Sequence, residues 1–182
     1  MTDGADLTVD TISYTMPFGD KLTAFVASGG GVAGSALYNT ACVYGAQADT
    51  FSKCGVSAAN LDEGLGTALG VNFDFGNGLT LSTSYEGQGD STKGFLTREG
   101  TDAQGFQVAY LGDSYGVSIS WANIENHGYQ GDANAVIGEF QSGHGHTQSV
   151  GVNAYFAPDL PNFPSISAGI ERNHDDSVAG TT

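Results

Sequence analysis

Strict alternation of apolar with small polar residues, interrupted by very short turns, is the feature that most limits what this chain can fold into. Leu69, Val71, Phe73 and Phe75 fall on one face of an extended segment, with Ala68, Gly70, Asn72 and Asp74 on the other. After Gly76-Asn77-Gly78 the pattern resumes, with Leu79, Leu81, Thr83 and Tyr85 set against Thr80, Ser82, Ser84 and Glu86. A period of two is that of a strand with one apolar face. Asn-Gly is the turn chemistry that antiparallel hairpins demand.

The unit recurs. A first hairpin is expected from about Asp6 to Ser28, with Ile12, Tyr14 and Met16 on one face, a turn over residues 17–21, and then Leu22, Ala24 and Val26. Leu7 and Val9 have the opposite parity to Ile12, so a bulge is expected near Asp10 or Thr11. A third hairpin sets Phe106, Val108 and Tyr110 against Tyr115, Val117, Ile119 and Trp121, across a turn at Gly112-Asp113-Ser114. A fourth sets Val150, Val152, Ala154 and Phe156 against Ile166, Ala168 and Ile170, across a turn holding Pro158, Pro161 and Pro164. Between hairpins lie long Gly-, Asp-, Ser- and Asn-rich segments, 29–64, 87–102 and 125–146, without useful helical periodicity. Tight turns on one side and long loops on the other are the asymmetry of a transmembrane β-barrel. The loops are accordingly expected to be external.

Two all-β arrangements share this alternation: a soluble eight-stranded sandwich, apolar face inward, and a membrane barrel, apolar face outward. The five basic residues (Lys21, Lys53, Lys93, Arg98, Arg172) are expected in turns, loops or strand ends. The strands' polar face is small and mostly uncharged, whereas a solvated strand face normally carries Lys, Arg and Glu. Aromatics form two groups, with Tyr14, Phe73, Phe75, Tyr110, Tyr115 and Phe156 towards the short turns and Tyr85, Phe106 and Trp121 towards the loops. Membrane interfaces select such belts. The barrel is favoured, and the alternative is a secreted soluble β-sandwich for adhesion or ligand binding.

The expected lipid-facing set is Leu69, Val71, Phe73, Phe75, Leu79, Leu81, Tyr85, Phe106, Val108, Tyr110, Val117, Ile119, Trp121, Val150, Val152, Phe156, Ile166 and Ile170. The expected pore-lining set is Asn72, Asp74, Ser82, Ser84, Glu86, Gln107, Ser118, Ser120, Ser149, Asn153, Tyr155, Ser165, Ser167 and Glu171. Side chains this small cannot fill a closed eight-stranded barrel; they suit a wider, water-filled lumen of roughly 16 strands. The domain is therefore expected to be partial, about half of a porin barrel over residues 1–182.

With 20 acidic residues against five basic ones, the net charge of −15 opposes nucleic-acid binding. Loop carboxylates at Asp49, Asp62, Glu63, Asp90, Glu99, Asp102, Glu125, Asp132 and Glu139 would concentrate cations at a channel mouth. Cys42 and Cys54 share the first long loop; they could close a small disulfide in an oxidising compartment or stand as two thiols. His144, His146 and Glu139 are weak candidates for a divalent metal, and no metal or other cofactor is expected. Gly29-Gly30-Gly31-Val32-Ala33-Gly34 matches a dinucleotide-binding pattern but lacks the βαβ unit that the mechanism needs. No nucleophile–base arrangement falls on rigid elements, so an enzyme is not expected.

Residues 14–22, Tyr-Thr-Met-Pro-Phe-Gly-Asp-Lys-Leu, leading into Ala24-Phe25-Val26-Ala27, resemble a periplasmic hairpin of cyanobacterial outer-membrane porins of the iron-uptake or carbohydrate-selective type. Residues 149–158 with 164–169 resemble a later hairpin of the same barrels. The likeness touches all four hairpins and none of the long loops. It implies an outer-membrane channel for passive diffusion of inorganic ions and small hydrophilic solutes, contacting lipid and assembling as a trimer or other oligomer. Members carry an export signal and a wall-binding domain; neither pattern is visible here, so an internal piece of a longer chain is expected.

Overall fold

The computed structural model describes residues 9, 11–29, 33–43, 52–61, 66–87, 102–126 and 145–177. Eight strands form one antiparallel sheet in sequence order: β1 Thr11–Phe18, β2 Leu22–Gly29, β3 Thr67–Asp74, β4 Leu79–Gly87, β5 Asp102–Leu111, β6 Tyr115–Asn126, β7 Gly145–Phe156 and β8 Ile166–Ser177. Each strand pairs only with its chain neighbours, and the sheet is open, with β1 and β8 as its edges. Among the described residues the remaining regular structure is a 3-10 turn, Gly34–Leu37, and one helical turn, Ser52–Gly55.

Turn chemistry explains the tight side. In the second hairpin Gly76 and Gly78 have φ of +88° and +84°, which a side chain would strain. Asp74 Oδ1 accepts from Gly76 N at 2.7 Å, and Phe75 N donates to Leu79 O at 3.0 Å. Gly78 O also accepts from Leu111 N at 2.8 Å, fastening this turn to the end of β5. In the fourth connection Phe156 meets Phe163 edge-on, with ring centroids 5.9 Å apart.

Several boundaries differ from the sequence pattern. Pro17 and Phe18 continue β1, so the first turn is Gly19–Lys21. Ser165 precedes β8 and is exposed in the turn. Arg172 lies within β8 rather than at its end, because pairing with β7 runs past the apolar run to Ser177. Tyr14 pairs with Val26, in the row of Leu69 and Tyr85, which places it towards the loops. Leu7 and Asp10, which bear on the expected bulge, lie outside the described residues.

The apolar face is the open one. Val71, Phe75, Val108, Val117, Ile119, Trp121, Val150, Ile166 and Ile170 are exposed large hydrophobics, Ile119 at 54% and Ile170 at 73%. A sandwich would bury these side chains against a second sheet, and among the described residues there is none. What burial exists is on the small polar face, at Ser82, Gln107, Ser118, Ser120, Ser149 and Asn153.

Candidate functional site

Strand register arranges the polar face in rows. Gly70, Ser84, Gly105, Ala122 and Ser149 are successive partners from β3 to β7, forming a trench with little side-chain bulk. The neighbouring row is Asn72, Ser82, Gln107, Ser120, Gly151 and Glu171. Into this relief fit the described residues of the first long loop, 33–43 running out across the sheet and 52–61 running back.

The outward arm, residues 33–43, crosses from β4 to β8. Gly34 N donates to the Glu86 carboxylate, and Tyr38 and Ser84 share a hydroxyl–hydroxyl bond of 2.8 Å. Asn39 Nδ2 donates to Thr80 Oγ1 at 3.1 Å, Ala41 N to Ser118 Oγ at 3.0 Å, and Val43 N to Ser167 Oγ at 3.0 Å. The return arm, residues 52–61, comes back over β8 and β7. Ala59 N donates to Glu171 Oε2 at 2.9 Å, and Val56, Ala59 and Leu61 are buried. Cys42 and Cys54 are disulfide-bonded, Cα atoms 6.1 Å apart, tying the arms at the far side of the sheet. Ser35 Oγ donates to Leu61 O at 2.8 Å and ties them at the near side.

Asn60 is the centre of the contact. Its Oδ1 accepts from Thr40 Oγ1 (3.4 Å), Gln107 Nε2 (3.1 Å) and Ser120 Oγ (2.5 Å). Its Nδ2 donates to Val56 O (2.7 Å) and Asn153 Oδ1 (3.2 Å). Asn60 and Asn153 are 0% exposed and Gln107 is 1% exposed. Buried polar groups need such partners, and here loop and sheet supply them to each other. Burial drives the Tyr38 phenol well above its ordinary pKa, against the Ser84 hydrogen bond and with help from the Glu86 charge.

The described residues of this loop lie on the polar face. The expected lining residues do share that face, except Ser165. Ser82, Ser84, Glu86, Gln107, Ser118, Ser120, Ser149 and Asn153 are buried there rather than bathed in open water. Asn72 bonds Leu37 O, Asp74 caps its own turn, and Tyr155 hydroxyl donates to Gly112 O at 2.5 Å. Small polar side chains suit a packed backbone as well as they suit water, so face composition alone did not separate the two. A signal was present nonetheless: from Ala33 to Leu61 the only charged residues are Asp49 and Lys53.

The opposite face is organised as a band. On β6 the outward residues Tyr115, Val117, Ile119 and Trp121 are followed by Asn123 and Glu125. The apolar part spans six residue steps, about 20 Å. Phe106, Trp121 and Val150 form one cross-strand row, and the next row towards the loops is Gln104, Asn123, Gln148 and His174. Arg172, aligned with Val150, begins the polar zone one row earlier on β8. Leu69 belongs to the exposed group with Val71, while Phe73, Leu79, Leu81, Tyr85, Tyr110 and Val152 are half-buried on this same face. A depression of about 480 Å³ is lined by Ala24, Val71, Thr83, Phe106 and Trp121, which form one cross-strand row.

Among the described residues no three His, Cys, Asp or Glu side chains group closely enough to hold a metal ion. His146 is on β7, while His144 and Glu139 lie outside the described residues. Among the described residues no helix is long and apolar enough to cross a membrane, which has no bearing on crossing by strands. No family model matches this chain, and neither a curated protein nor a solved structure matches it.

Proposed function

We propose that this sheet is a section of the wall of an outer-membrane β-barrel, of porin type, that passes small hydrophilic solutes and inorganic ions by diffusion. The carrying observation is the outer face: an apolar band about 20 Å deep on β6, aromatic at its turn side, giving way to a polar row across β5–β8. Such a band is costly in water and suited to hydrocarbon. The open edges at β1 and β8 support a larger barrel, since unpaired backbone groups are not tolerated in lipid. On this reading about eight further strands complete a lumen wide enough to hold the first loop and still conduct. The resemblance of the hairpins to cyanobacterial outer-membrane porins points the same way. Acidic residues outnumber basic ones four to one, which favours cations in transit.

The test is electrical. Reconstituted in planar bilayers under a KCl gradient, the protein is expected to give discrete conductance steps with a reversal potential of cation-preferring sign. Anion preference would remove the selectivity reading, and a protein that stays in buffer without detergent and never conducts would remove the channel.

A further inference from the structure

We propose that Arg172, with His174 and Gln148 beside it, forms a site on the outer face for the phosphate of an anionic lipid headgroup. The site rests on the membrane-wall reading above. Strand register shows where the border between hydrocarbon and headgroups runs. The outermost apolar residue is Ile12 on β1; on β4 it is Tyr85, one row nearer the turns. On β6 it is Trp121, a row nearer again, and on β8 it is Ile170, a row beyond that. The border therefore slants at about 30° to the cross-strand rows. Strands of membrane barrels are tilted by roughly 35–45°, so a border of this slant lies nearly level with the bilayer surface.

The first polar residues beyond that border on β5 to β8 are Gln104, Asn123, Gln148 and Arg172, each carrying N–H donors. Arg172 is the one Lys or Arg in any of the eight strands, and it is exposed. On the same face stand Val150 across from it and Ile170 on its turn side, so its stem suits hydrocarbon and its guanidinium the headgroup layer. His174, exposed two positions on, faces Gln148. The outward acidic positions, Asp102, Glu125 and Asp176, stand a row further towards the loops than Gln104, Asn123 and His174. In a chain with 20 acidic and five basic residues, a border lined by donors and without carboxylates on these strands is matched to an anion. The guanidinium fork fits two phosphate oxygens, and the neighbouring carboxamides fit headgroup hydroxyls.

Trp121, the one tryptophan of this sequence, shares the row of Val150 and Arg172, two strands and about 10 Å from the arginine. Its fluorescence therefore reports which lipid sits there. The probes are phosphatidylcholine vesicles carrying a small fraction of acyl-brominated phosphatidylglycerol or acyl-brominated phosphatidylcholine, with the emission of Trp121→Phe subtracted. The brominated phosphatidylglycerol is expected to quench Trp121 as if enriched about fivefold over the neutral lipid. Arg172→Gln should bring the two lipids to parity. Arg172→Lys, which keeps the charge and loses the fork, should give an intermediate ratio. Equal quenching in the parent, or an unchanged preference in Arg172→Gln, would overturn the site. Reversal of the preference by millimolar glycerol phosphate would overturn the lipid as occupant and assign the site to a soluble phosphate ester. No quenching by either lipid would place Trp121 outside hydrocarbon and remove the wall reading itself, an outcome distinct from equal quenching.

Discussion

Gly151 on β7 and Val56 on the returning arm are packed so closely that a methyl group on the glycine would overlap the valine side chain and lie 3.0 Å from Ala59 Cβ. Neither side has a flexible tip that could swing away. Gly151→Val is therefore expected to unseat residues 52–61, at a cost of about 1–3 kcal/mol for overpacking. Hydrogen exchange of the Ala59 amide is the measurement: it should speed in Gly151→Val, and protection equal to the parent would contradict the packing.

Cys42 and Cys54 close a short segment of the loop, and such closure is worth about 2–3 kcal/mol through the unfolded state. Reduction, or Cys42→Ser with Cys54→Ser, is expected to lower the denaturation midpoint accordingly. The hub at Asn60 and the Ser35–Leu61 bond remain, so the loop should stay seated at low temperature. Loss of seating on reduction alone would show that the covalent tie dominates.

Tyr38 carries a pH dependence whose sign follows from its burial. Its pKa in the folded chain is raised, so the folded state holds the phenolic proton more tightly than the unfolded one. Stability from this group is complete below the unfolded value near 10 and falls as pH rises through the interval above it. Loop protection is expected to be flat from pH 7 to about 9.5 and to decline beyond. Tyr38→Phe should abolish that decline while losing the Ser84 hydrogen bond, about 1 kcal/mol. An unchanged alkaline profile in Tyr38→Phe would assign the decline to another group.

Ile119 stands at the middle of the outer band, 54% exposed, and its chain neighbour Ser118 is buried beneath the loop. Ile119→Lys is expected to reduce the stability of the membrane-inserted protein by about 2–4 kcal/mol. In a soluble protein the same change would be close to neutral. Comparing urea midpoints in lipid vesicles with the parent separates the two.

The outer face was legible because its signal is local. Leu69, Val71, Phe73 and Phe75 announce a strand within one window, and Gly76-Asn77-Gly78 announces its turn. The single sheet and its hairpin order follow from such units laid end to end. The inner face was not legible, because what covers it comes from far along the chain: Gly34 meets Glu86, and Ala59 meets Glu171. Ser82 and Ser149 carry no mark that distinguishes a backbone lid from water. Arg172 and Ser165 were misplaced for a smaller reason: apolar alternation marks where a strand is greasy, not where pairing begins and ends.

Val43 donates to Ser167 across 124 positions of sequence, whereas every strand pair joins chain neighbours. Hairpins close quickly and long-range contacts wait on loop-closure entropy. The sheet can therefore zip from one hairpin to the next, but the loop has no complete seat until β8 has arrived. A segment that precedes six of the eight strands in sequence is thus among the last to find its place. In the interval the trench stands open beside an unpaired edge, and that is when the nascent wall is most vulnerable to mispairing.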